Sequence, residues 1–134
     1  MAADGVVTVR SSHEPNETLS RLEADVKARG LTVFAHVDHS AGAAAVGLAL
    51  RPTDLMIIGN AKGGTPPMQV DQIVGIDLPL KILVWQDQAG YTWLSYNDPS
   101  WLAKRHGLGK DAEPTVNALT AALRAIASAA TGIQ

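Results

Sequence analysis

Leu55-Met56-Ile57-Ile58-Gly59-Asn60-Ala61-Lys62-Gly63-Gly64-Thr65-Pro66 decides how this chain is read. Its first residues are apolar without alternation, the pattern of a strand buried on both faces. The glycine-rich stretch then breaks the strand, and Pro66 suits the first turn of a short helix reaching Ile73. A turn of this kind bares backbone N–H groups and can cradle an anion. Lys62 adds positive charge and Thr65 adds a hydroxyl. It is not a Walker A loop, which places lysine and Ser/Thr directly after the last glycine, whereas here lysine precedes the glycines. The plainer alternative is a strand-to-helix turn whose glycines supply unusual backbone angles and close packing.

Upstream, Val6–Arg10 alternates and is rich in β-branched residues, so it reads as a first strand. Pro15 opens a helix with Leu19, Leu22 and Val26 on one face and Gly30 as its stop. Leu31–Val37 reads as a second strand. Ser40–Leu50 is rich in alanine and reads as a helix weakened by Gly42 and Gly47, and Pro52 ends it. Residues 54–58 form the third strand. Downstream, Leu80–Trp85 and Tyr91–Tyr96 flank the turn Asp87-Gln88-Ala89-Gly90 and make the clearest hairpin in the chain. Trp85 and Trp93 are placed to pair across it. Asp98-Pro99 caps and opens a short helix that Gly107 ends. Pro114 begins a long final helix with Val116, Leu119, Leu123 and Ile126 as its buried stripe. The order β-α-β-α-β-α-β-β-α-α predicts an α/β (α+β) domain spanning residues 1–134, with one mixed sheet of about five strands packed by helices.

Composition narrows the function classes. The 134 residues are 46% hydrophobic and 18% charged, with a formal net charge of −2. That is ample for a core and gives little electrostatic support for nucleic-acid binding. Cysteine is absent, which excludes disulfides and thiolate chemistry and fits a cytoplasmic setting. Met1–Gly5 lacks the basic and apolar regions of a signal peptide, and no apolar run reaches the length of a membrane span. A soluble protein is expected.

The predicted topology gathers polar residues at one rim. A helix joining the second and third strands implies that the two run parallel. His39 and the Gly59–Thr65 turn would then share a rim. A fourth strand antiparallel to the third would return Asp77 and Lys81 to it, and the hairpin would bring back Tyr96 and Asn97. Strand-end crevices of this kind favour ligands. The candidate ligand-binding residues are therefore His39, Asn60, Lys62, Gly63, Gly64, Thr65, Asp77, Lys81 and Tyr96.

Several ordered motifs run through the same region. They are Val37-Asp38-His39-Ser40-Ala41, Gly47–Thr53, Ile58–Thr65, Gly75-Ile76-Asp77-Leu78-Pro79-Leu80-Lys81 and Tyr96-Asn97-Asp98-Pro99. Over residues 35–98 they resemble the Domain of Unknown Function 302 family, which often carries proline where Ala61 stands. The resemblance implies a small α/β domain commonly found as a homodimer. It implies no agreed activity and carries over no catalytic residues.

Three functions compete. The leading expectation is a homodimer binding a small anionic ligand at the rim, with Lys62 neutralising it, the Gly63 and Gly64 amides donating and His39, Asp77 and Tyr96 orienting it. An enzyme would use Lys81, Asp77 and His39 as acid–base groups. Asp77 and Lys81 equally read as an ion pair steadying the fourth strand. A structural or assembly module needs no ligand. His36, Asp38 and His39, even with His13 or His106 added, match no metal-site spacing, and Asp38 or Ser40 suits a helix cap instead. No Gly-x-Ser-x-Gly elbow or dinucleotide fingerprint appears, and no motif names a cofactor.

Overall fold

The computed structural model describes residues 3–133; Met1, Ala2 and Gln134, the first two within the N-terminal stretch considered above, lie outside it. Five strands, β1 (Val6–Arg10), β2 (Thr32–Asp38), β3 (Thr53–Gly59), β4 (Leu80–Gln86) and β5 (Thr92–Asn97), form one sheet in the order β1-β5-β4-β3-β2. The helices are α1 (Pro15–Ala28), α2 (His39–Ala45), α3 (Ala61–Val70), α4 (Pro99–Arg105) and α5 (Glu113–Thr131), with 3₁₀ turns at Gln72–Asp77 and Lys110–Ala112. The α/β class, strand number and element order match the expectation.

The sheet is not mixed. Every pairing in it is antiparallel, including β2 with β3, where Asp38 lies opposite Asp54 and Thr32 opposite Gly59. The expected parallel crossover does not form. A seven-residue helix spans about 10 Å, whereas a seven-residue strand spans about 23 Å, so α2 cannot carry the chain back along β2. The chain turns after α2 instead, at Gly47 with φ +79°. Residues 48–52 then lead into β3 beside the end of β2.

One face of the sheet makes the core. Met56, Ile58, Ile82, Val84, Leu94 and Tyr96 point to it from three strands. Leu22 and Val26 of α1 pack there with Leu123, Ile126, Ala127 and Ala130 of α5. The alternation of buried and half-buried residues along β4 is what a two-faced strand dictates. Burying each of these large aliphatic side chains contributes about 1.5–3 kcal/mol. On the opposite face Trp85 and Trp93 stack across the hairpin with ring centroids 6.2 Å apart. The Trp85 indole donates to Ser95 Oγ and that of Trp93 to Asp87 Oδ2. The Arg10 guanidinium lies 3.7 Å from the Tyr91 ring centroid.

Candidate functional site

Antiparallel pairing redistributes the polar tips. Ile58 of β3 faces Leu80 of β4, and Ile82 of β4 faces Tyr96 of β5. The end of β3, the start of β4 and the end of β5 therefore share a rim, together with the start of β2. His39 follows the end of β2, at the opposite end of the sheet. It joins no group proposed to act with it. Its neighbour Asp38 caps α2 through the Ala41 N–H and the Ser40 hydroxyl. Those two donors hold the Asp38 carboxyl below the ordinary aspartate range.

The glycine-rich stretch is the first turn of α3. Asn60 is its N-cap, and its Oδ1 accepts the Gly63 N–H at 2.6 Å. The Gly64 N–H donates to the Asn60 carbonyl at 3.0 Å. Both glycine amides assigned to a ligand are thus spent inside the helix. The sequence concealed this helix because glycine and proline are its poorest formers, and Pro66 and Pro67 lie in its interior. The cue was Asn60, a preferred capping residue directly after a strand.

Beside this turn the protein holds a cavity of about 310 Å³. Ile58, Gly59 and Leu80 close it from the sheet, with Leu31 and Phe34 at the β2 edge. Leu119, Ala122 and Ile126 of α5 form the wall behind, and Leu78 and Pro79 the floor beneath Met68 of α3. Asn60, Gly63, Gly64 and Thr65 line it as well, so four of the nine candidate residues belong to it. Among the described residues, no ionisable side chain lines it. Ile58 and Ile126 are fully buried, whereas Asn60, Thr65 and Phe34 are exposed, which sets an apolar interior and a polar-edged mouth.

Lys62, Asp77, Lys81 and Tyr96 share the rim but do not line the cavity. Lys62 is exposed. Asp77 turns towards α4: the Arg105 Nη1 donates to both carboxylate oxygens at 3.0 Å, and His106 Nε2 lies 2.5 Å from Oδ2. The expected Asp77–Lys81 ion pair is absent among the described residues; the partners of Asp77, Arg105 and His106, come from 28 and 29 residues downstream. Asp77 borders only a hollow of about 30 Å³, room for about one water. Lys81 lies opposite Ile57, on the face away from the core. Tyr96 is 6% exposed within the core, where burial raises its phenol pKa. Lys81, Asp77 and His39 are dispersed and make no acid–base centre. Sequence reasoning missed the cavity walls of α5, because Leu119 and Ala122 read as ordinary packing residues.

No group of three or more metal-ligating side chains occurs among the described residues, and no helix there is long and apolar enough to cross a membrane. The chain is 44% identical over 128 residues to "Fluoride-specific ion channel FluC 1" of Brucella suis biovar 1 (strain 1330), a match covering 96% of this chain and 50% of that protein. It is equally identical to "Fluoride-specific ion channel FluC 2" of Brucella melitensis biotype 1 (strain ATCC 23456 / CCUG 17765 / NCTC 10094 / 16M), covering 47% of that protein. The chain thus spans about half the length of the curated relatives it matches. The crystal structure of an uncharacterized conserved DUF302 protein from Bacillus stearothermophilus superposes with a TM-score of 0.76. That match covers 97% of this chain and 98% of the other at 24% identity, a likeness of fold. A family model described as Domain of unknown function DUF302 matches residues 7–126, and the chain belongs to that family.

Proposed function

We propose that this domain binds a small molecule in the cavity between α3, α5 and the paired ends of β2, β3 and β4, and that it works as a homodimer. The cavity carries the reading. Its volume of about 310 Å³ lies at the lower end of the range for small-molecule sites, about 300–1,000 Å³. Its composition is also that of such sites, apolar walls with a few polar groups at one side. Support for a second copy comes from the sheet face away from α1 and α5. Val37, Leu55, Ile57, Leu83 and Trp85 are partly or largely exposed there, an apolar surface that suits a like partner. The absence of cysteine agrees with a cytoplasmic setting.

The Brucella relatives suggest a context. Their names describe channels, and this chain corresponds to half of each. With no helix fit to cross a membrane among the described residues, we read the domain as an accessory half, with the pore built elsewhere in such proteins. Its uncharged cavity lining gives no reason to carry fluoride over to it.

Native mass spectrometry of freshly purified protein tests both parts. The expected spectrum shows twice the chain mass and, under gentle conditions, an adduct of a small organic molecule that Ala122→Phe abolishes. A monomer that carries no adduct and takes up no added apolar compound contradicts the reading.

A further inference from the structure

The cavity wall has one soft member. On the reading of the cavity as a ligand site, we infer that it takes an uncharged, hydrocarbon-like molecule and that Met68 sets the length that fits. The walls give the class. Ile58, Leu80, Leu119 and Ile126 offer a ligand only hydrocarbon. At the mouth, Asn60 Oδ1 accepts the Gly63 N–H and the Asn60 carbonyl accepts that of Gly64, so these groups are already paired. The Asn60 and Thr65 side chains are exposed to water. A charge drawn inside would lose its hydration and, among the described lining residues, meet no charged partner, which is costly. Each CH₂ that enters is favoured instead. A cavity of about 310 Å³, shared at about 30 Å³ per non-hydrogen atom as in liquid water, holds about ten such atoms.

Met68 gives the limit. The other large apolar residues of the wall are branched or ringed, whereas methionine is unbranched and adapts to the space it is given. The space behind Met68 comes from Gly75, in the 3₁₀ turn Gln72–Asp77. A Cβ on Gly75 would lie 3.1 Å from Met68 Sδ and 3.9 Å from its Cγ. Met68 lines the cavity and Gly75 does not, so Gly75 backs Met68 from the side away from the ligand. The missing side chain lets the thioether sit back and leaves the cavity its full length. A methyl group on Gly75 would press Met68 inward. Gly75 is not among the glycines with positive φ, so the turn itself accepts alanine and the neighbour that must give way is Met68.

Isothermal titration calorimetry with 1-hexanol, 1-octanol, 1-decanol, 1-dodecanol and octanoate is the test. In the parent, affinity should rise about fourfold per added CH₂ as far as 1-octanol and level off from 1-decanol onwards. Octanoate should bind at least about tenfold more weakly than 1-octanol, a fraction of the cost of desolvating an unpaired charge. Met68→Ala removes about three non-hydrogen atoms from the wall and should carry the rise on to 1-dodecanol. Gly75→Ala acts from behind the wall, and decides the matter if Met68→Ala fails to fold. It should weaken 1-octanol several-fold and leave 1-hexanol unchanged. If the chain-length profile is the same in the parent and in the folded variants, the assignment to Met68 falls. If octanoate binds as tightly as 1-octanol, the uncharged class falls. The cavity reading stands in both cases. If no alcohol binds, and Ala122→Phe leaves the native mass spectrum unchanged, the inference and the cavity reading fall together.

Discussion

Asp77 and His106 meet with Oδ2 and Nε2 2.5 Å apart, joining the 3₁₀ turn before β4 to the end of α4 across 29 residues of sequence. Both side chains are largely shielded, at 13% and 7% exposure, while Arg105 closes the group from the solvent side. The contact holds the 3₁₀ turn, and with it Leu78 and Pro79 of the cavity floor, against the body of the domain. Asp77 therefore serves the site by positioning its floor.

Asp77→Asn keeps the shape and removes the charge. It leaves Arg105 without its counter-ion and alters the His106 hydrogen bond, so stability should fall by about 2 kcal/mol. Urea denaturation followed by tryptophan emission measures it. A loss below about 0.5 kcal/mol, the level of an ordinary surface change, would show that the group contributes nothing to holding the turn.

Asp87 gives the hairpin an acid limit. The Trp93 indole N–H, above all, holds its carboxyl below the ordinary aspartate value. Folding thus favours the charged form, so the contribution is complete above the unfolded value of about 3.9. It is lost as pH falls through the lower folded value. Asp87→Asn should remove this part of the acid transition. An unchanged acid unfolding profile in the variant would exclude the indole–carboxylate bond as its source.

Tyr96 sets a limit at the other end. Burial raises its phenol pKa, so the neutral form is favoured by folding. Its contribution is full below the unfolded tyrosine value of about 10 and is lost as pH rises through the higher folded value. In a Tyr91→Phe background, the ultraviolet absorbance of the phenolate should rise only above the ordinary tyrosine range. A transition at the ordinary value would place Tyr96 in water rather than in the core.

Much of the fold was legible because local signals agreed. Pro15, Asp98 and Pro114 open helices at or within one residue of the places read from the sequence, and Gly30 and Gly107 follow helix ends with positive φ. The hairpin and its tryptophan pair lie where alternation put them. What failed was strand direction, which depends on whether a connection can span the sheet. The helix read over Ser40–Leu50 would span about 16 Å, whereas α2 ends at Ala45 and the chain turns at Gly47.

The site was legible only in part, for a related reason. Asn60, Gly63, Gly64 and Thr65 line the cavity because they are local to one strand end. His39 was placed by the mistaken direction, and Asp77 was paired in expectation with its near neighbour Lys81. Its partners Arg105 and His106 come from a distant helix, and no local spacing announces them. The apolar walls of α5 carry no chemical signature at all, since a cavity residue and a core residue look alike until the space between them is seen.

Methyl-resolved NMR during a titration with a small apolar compound, 1-octanol, tests the central claim most directly. Methyl signals of Ile58, Met68, Leu80, Leu119 and Ile126 should shift together and saturate, while those of Val37, Leu55 and Leu83 on the opposite sheet face stay in place. Shifts confined to the opposite face, or no saturable shift among the cavity methyls, would contradict the account.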